Sequence, residues 1–177
     1  MEGRALRLFF ALPLPPELRD ALGRWQQDRG PARWVRPEDL HLTLAFLGER
    51  PAEVLPALEA LAALVAPRHG AFSLRTARLG GFPREERTRI LWLGLEPCPV
   101  LETLAEDLRG ALASGGQAFD AKPFRAHITL ARLRQPRPLA TFTSPPPATF
   151  AAEGFTLFES RAQGGYTPLR TWPLRRV

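Results

Sequence analysis

Two short stretches of this chain carry the side chains with chemistry to offer: His41-Leu42-Thr43-Leu44-Ala45 and His127-Ile128-Thr129-Leu130-Ala131. They match at four of five positions, and the fifth differs only as leucine from isoleucine. In an extended strand, residues two apart project to the same face. Each histidine therefore travels with its threonine, while Leu42, Leu44, Ile128 and Leu130 point the other way into a core. An imidazole and a hydroxyl need polar partners when buried, so the polar face is expected to line a cleft. Two imidazoles, whose ordinary pKa lies near neutrality, can divide a displacement at phosphorus between them. One takes a proton from attacking water while the other protonates the departing oxygen. Threonine hydroxyls can hold the non-bridging oxygens as charge builds up. This chemistry requires neither a metal nor a nucleophilic serine, and two histidines without a placed carboxylate fall short of the usual three protein ligands of a catalytic zinc. No cofactor and no metal is therefore expected.

The elements that must position these residues are legible from periodicity and punctuation. Residues 4–12, rich in Leu and Phe and stopped by prolines, read as a first strand. Residues 17–27 repeat Leu18, Ala21, Leu22 and Trp25 at helical spacing, and Gly30-Pro31 is expected to end that helix. Trp34 and Val35 form a short extended piece, and residues 41–47 a strand closed by Gly48. A helix over 51–65 and a strand over 72–79 follow. Residues 80–89 read as a loop, 90–95 as a buried strand, 100–112 as an amphipathic helix, and 127–133 as the second histidine-bearing strand. A proline-rich loop spans 135–147, and residues 150–160 and 166–174 close the chain as a strand pair joined by Gly164-Gly165. The order of strand, helix, extended piece and histidine strand thus occurs twice. Such a long-period duplication predicts an α+β fold of two pseudo-symmetric lobes, each an antiparallel sheet flanked by helices, with the cleft between them.

Composition sets the remaining bounds. A chain of 177 residues with 45% hydrophobic content suits one domain over residues 1–177. The single cysteine, Cys98, excludes an intramolecular disulfide and fits a cytoplasmic setting. The apolar run over 6–14 is too short to span a bilayer and is interrupted by Arg7 and Pro13, so no membrane partner is expected. The formal charge of +6 rests almost wholly on arginine, Lys122 being the only lysine, which favours an anionic partner such as nucleic acid. His69, at a helix end, reads as complementing the helix dipole. Asp39 and Glu49 flank the first motif in turns and are given no role.

The paired His-x-Thr-x motifs, with the opening Arg7-Leu8-Phe9-Phe10-Ala11-Leu12-Pro13, the strand Leu91-Trp92-Leu93-Gly94-Leu95 and the closing Leu157-Phe158-Glu159-Ser160, resemble the two-histidine phosphoesterase superfamily. Within it the match is to the RNA 2′,3′-cyclic phosphodiesterases, also called 2′-5′ RNA ligases or LigT-like proteins. The resemblance runs over essentially the whole chain. It implies a bilobal fold and opening of a 2′,3′-cyclic phosphate on RNA or a small nucleotide to leave a 2′-phosphate. It also implies His41 as proton donor, His127 as proton acceptor, and Thr43 and Thr129 on the phosphate; spacing alone leaves the two histidines interchangeable. Arg125 matches a basic position of the family, and Phe46 an aromatic able to stack on a base, although strict alternation would send Phe46 to the core with Leu42 and Leu44. Ala126 stands where such proteins often carry proline. The alternatives are 2′-5′ ligation as the main activity, a non-catalytic module binding RNA ends, and a plain structural domain. A monomer is expected.

Overall fold

The computed structural model describes residues 4–27 and 32–176, and the expected helix stop at Gly30-Pro31 lies outside them. In chain order the elements are β1 (Ala5–Pro13), α1 (Pro16–Gln26), β2 (Arg33–Trp34), β3 (His41–Pro51), α2 (Leu55–Val65), β4 (Phe72–Phe82), β5 (Thr88–Leu95), α3 (Pro99–Ser114), β6 (His127–Arg137), β7 (Thr149–Ala152), β8 (Gly154–Ser160) and β9 (Tyr166–Pro173). The strands form one hydrogen-bonded path, β7-β4-β5-β6-β3-β1-β8-β9, with β2 added along β6. Every pairing between these strands is antiparallel.

The path divides naturally where β3 meets β6, for these strands share a single register pair, Leu42 with Ile128. On one side β1, β3, β8 and β9 make the first lobe; on the other, β4 to β7 with β2 make the second. The α+β, two-lobed expectation is met, with the lobes joined edge to edge at the duplicated motifs. Leu42 and Ile128 are fully buried and belong to one apolar cluster that draws on both lobes and on all three helices. α3 follows a strand of the second lobe yet packs on β3 of the first. α1 follows β1 of the first lobe and leans toward the second, where Trp25 Nε1 donates to the Thr143 carbonyl and Trp25 meets Trp34 edge to face.

Boundaries differ from expectation in several places. β3 runs on through Gly48 to Pro51, so Gly48 does not close the strand and α2 begins at Leu55 instead of 51. Residues 80–82 are strand, not loop: Gly80 pairs with Trp92 and Gly81 with Leu91. The glycines are there because the facing side chains lie across them, and a Cβ would collide with the Trp92 ring at Gly80 and with Thr88 at Gly81. The run 150–160 is two strands. β7 pairs with β4 in the second lobe and β8 with β1 in the first, and the chain changes sheets at Glu153-Gly154, where Gly154 sits too close to the Trp172 carbonyl for any side chain. β6 continues to Arg137, so the proline-rich loop begins later than its composition suggests. The final hairpin is as expected, with Gly164 and Gly165 both at positive φ.

Candidate active site

The one-pair seam fixes the arrangement of the polar side chains. With Leu42 opposite Ile128, the residues on either side of each, His41, Thr43, His127 and Thr129, all lie on the opposite face of the ladder. Antiparallel order sets each histidine toward the other strand's threonine. All four line one cavity of about 620 Å³ at the junction of the lobes.

Each imidazole is oriented the same way. Nδ1–H of His41 donates to the Asp39 carbonyl at 2.7 Å, and Nδ1–H of His127 donates to the Arg125 carbonyl, also at 2.7 Å. Because a carbonyl only accepts, these contacts put the proton on Nδ1 in the neutral ring and leave Nε2 as the working atom. At His41, Nε2 accepts from the Thr43 hydroxyl at 3.1 Å. Phe9 and Tyr166 brace the His41 ring at centroid distances of 4.9 and 5.0 Å. Phe82 and Trp92 brace His127 edge to face at 5.4 and 6.0 Å.

The near-symmetry ends at the side chains two residues before each histidine. Burial pushes the pKa of both imidazoles below the usual value near 6.5. At His41 the Asp39 carbonyl and carboxylate oppose that shift, favouring the protonated ring, while the charge of His127 adds to it. At His127 the Arg125 carbonyl opposes it, but the Arg125 guanidinium works with burial, disfavouring the protonated ring. Asp39 is held for this: its carboxylate takes Arg36 Nε at 2.9 Å and the Tyr166 backbone N–H at 3.3 Å. Sequence reading passed Asp39 over as a turn residue. The available signal was its position two before His41, matching Arg125 before His127 with the opposite charge.

Phe46 lines the cavity rather than entering the core. Between Phe10–Ala45 and Ala11–Thr43 the β1–β3 register slips by one residue, so Leu44 and Ala45 are both buried in succession and the alternation inverts before Phe46. β6 repeats this. Its register with β5 slips between Leu91–Ala131 and Trp92–Thr129, Leu130 and Ala131 are both buried, and Arg132 turns to the cavity. Arg132, five places after His127 as Phe46 is after His41, was not singled out from the sequence, because a period of two hides a residue beyond a bulge. Arg125 lies on the cavity wall with its guanidinium over the Trp92 and Phe82 rings at 5.5 and 5.7 Å. His69 stays apart, paired with Asp107 of α3 at 2.9 Å. Among the described residues, no three of His, Cys, Asp and Glu come together in the manner of a metal site, and no helix is long and apolar enough to cross a membrane.

The chain matches a family model described as LigT like phosphoesterase twice in tandem, over residues 12–92 and 93–166, so each match contains one motif. The RNA 2′,3′-cyclic phosphodiesterase of Escherichia coli is 39% identical to it, the alignment covering 95% of this chain and 96% of that protein. The RNA 2′,3′-cyclic phosphodiesterase of Thermus thermophilus is also 39% identical, covering 96% and 91%. The crystal structure of E. coli LigT complexed with 3′-AMP superposes with a TM-score of 0.80 at 38% identity, covering 97% of this chain and 99% of that one. The double match, the similarity along nearly the full length and the shared architecture lead to one conclusion: this chain belongs to the LigT-like phosphoesterase family.

Proposed function

We propose that this chain hydrolyses 2′,3′-cyclic phosphates, on RNA ends or small nucleotides, to 2′-phosphomonoesters by acid–base catalysis at His41 and His127. The observation that carries this reading is the pair of imidazoles, each locked through Nδ1 by a backbone carbonyl and each accompanied by a threonine in one cavity. The relatives named RNA 2′,3′-cyclic phosphodiesterase support the substrate class.

In the proposed step, His127 Nε2 accepts a proton from water as the water oxygen bonds to phosphorus. The bond from phosphorus to O3′ breaks, and His41 Nε2 delivers its proton to O3′. Thr43 and Thr129 donate to the non-bridging oxygens of the five-coordinate transition state. The opposed charges of Asp39 and Arg125 favour this division of roles over its reverse. In this reading Arg125 meets an anionic oxygen of the substrate and Phe46 carries a base, roles supported by their position on the cavity wall. The same groups acting on a 5′-hydroxyl in place of water, with the bond from phosphorus to O3′ again breaking and O3′ again taking the proton, would open the cyclic phosphate to a 2′-5′ linkage; water at its ordinary concentration favours hydrolysis. One chain supplies both histidines, which fits a monomer as the working unit, and the setting proposed is cytoplasmic.

The test is turnover of a 2′,3′-cyclic mononucleotide by the wild type, His41→Ala and His127→Ala. Each substitution is expected to lower kcat/KM by about a hundredfold or more. A folded wild type that binds the nucleotide without turning it over would instead make the cavity a recognition site for RNA ends.

A further inference from the structure

A second compartment adjoins the catalytic cavity and shares two walls with it. It has a volume of about 350 Å³ and lies between β2 and the 161–165 turn, and Val35 and Tyr166 line both spaces. Of the cations on and around its wall, only Arg36 is paired with acids among the described residues. Arg33 stands directly across the ladder from Arg132, so the two guanidinium groups share one face of the sheet, an arrangement of like charges that is unfavourable by itself. Among the described residues neither has an ion pair with a carboxylate, and neither does Arg161. On the turn, a Cβ at Gly165 would collide with Nη2 of both Arg36 and Arg161, so these guanidinium groups converge on one point as well. Arg36 is offset by Asp39 at 2.8 Å and Glu38 at 3.7 Å, and Asp39 is the one carboxylate among the residues lining the compartment.

The opposite end of the cavity is different. Lys122 faces Asp120 at 3.7 Å, and Arg109 is spent on carbonyls, donating to Leu44 at 3.2 Å and Lys122 at 2.8 Å. Arginines without carboxylate partners thus gather at the β2 end: burial and Asp39 push the Tyr166 hydroxyl pKa up there, and Arg132, Arg7 and Arg33 together oppose that shift.

We infer that this compartment binds the phosphodiester linking the terminal nucleotide of an RNA to its neighbour, so that the protein engages an oligonucleotide chain and not its cyclic end alone. The inference rests on the hydrolase reading for the position of that end. The compartment itself is an anion site built beside it: an incoming phosphate relieves the Arg33–Arg132 repulsion and accepts paired hydrogen bonds from guanidinium groups.

The experiment compares calorimetric binding of adenosine 3′-monophosphate with that of the adenosine dinucleotide carrying a 3′-phosphate. Both are titrated into the wild type and an Arg33→Ala/Arg161→Ala double variant at two salt concentrations, with circular dichroism to verify folding. The wild type should bind the dinucleotide at least tenfold more tightly, with a salt dependence steeper by roughly 0.7 in log–log slope for the added phosphate contact. In the variant that ratio should fall to within about twofold. Equal affinities in the wild type, or a ratio that persists in the variant, would overturn the inference. A variant losing both ligands equally would overturn it too, since the arginines would then form a general anion site. Turnover of a cyclic mononucleotide, followed in parallel, reports on the hydrolase reading separately, because the binding ratio does not depend on catalysis.

Discussion

At the two histidines, one side chain of opposite sign on each side breaks an otherwise close symmetry, and the pH dependence of the reaction should reveal it. His41 must hold its proton to act as acid, so activity is lost as pH rises through its pKa. His127 must be neutral to act as base, so activity is lost as pH falls through its own. Both values lie below the ordinary imidazole range because of burial, which places the kcat/KM optimum of the free protein on the acid side of neutrality. Asp39→Asn removes a carboxylate that favours His41⁺ and is expected to move the alkaline limb to lower pH. Arg125→Gln removes a cation that disfavours His127⁺ and is expected to move the acid limb to higher pH. The pH profiles of kcat/KM for the two variants check this; limbs moving in the exchanged order would reverse the assignment of acid and base. The polar quartet itself was legible in the sequence because period-two spacing and duplication together single it out. Asp39 was not, because its influence depends on a carboxylate held by Arg36 and the Tyr166 backbone, contacts that spacing does not encode.

Elements position the site through irregularities more than through regular structure. The paired bulges after Thr43 and Thr129 turn Phe46 and Arg132 to the cavity, and α3 braces the first of them, Arg109 reaching across to the Leu44 carbonyl and to Lys122. Arg109→Ala leaves both carbonyls without this donor. A partly buried hydrogen bond to a charged group contributes roughly 1.5–3 kcal/mol and the solvent-exposed one to Lys122 only about 0.5–1, so a loss of about 2–4 kcal/mol is expected in urea denaturation, together with a raised KM from a displaced Phe46. Arg109→Lys should recover only part, since a single ammonium cannot span the two acceptors as a planar fork does. Most strands and all three helices followed from apolar periodicity and proline or glycine boundaries. The failures share a cause. Gly80, Gly81 and Gly154 are signals of close approach by a neighbour, and from sequence alone such a glycine cannot be told from one that ends a strand.

Across the whole molecule, two lobes meet through one register pair, yet they share an apolar cluster running from Leu8 and Leu42 to Leu91, Ile128 and Leu157. The halves are therefore expected to unfold as one cooperative unit, with far-ultraviolet and near-ultraviolet circular dichroism giving a single coincident thermal transition. Two separated transitions would mean that each lobe holds its own core. A shared core also keeps the histidines in fixed register across the seam, which proton transfer to opposite sides of one phosphorus requires. The duplication gave away the two lobes, but not that β7 and β8 would serve different sheets, because one apolar run shows no sign of a change of partner. The central claim is the metal-independent opening of a cyclic phosphate by this pair. Its most direct test is incubation of an RNA oligonucleotide ending in a 2′,3′-cyclic phosphate with the protein in excess chelator, followed by separation of the 2′- and 3′-phosphate products. The 2′-phosphate alone is expected, with its formation lost in both His41→Ala and His127→Ala; formation of the 3′-phosphate, dependence on added metal, or full activity in either variant would overturn the mechanism.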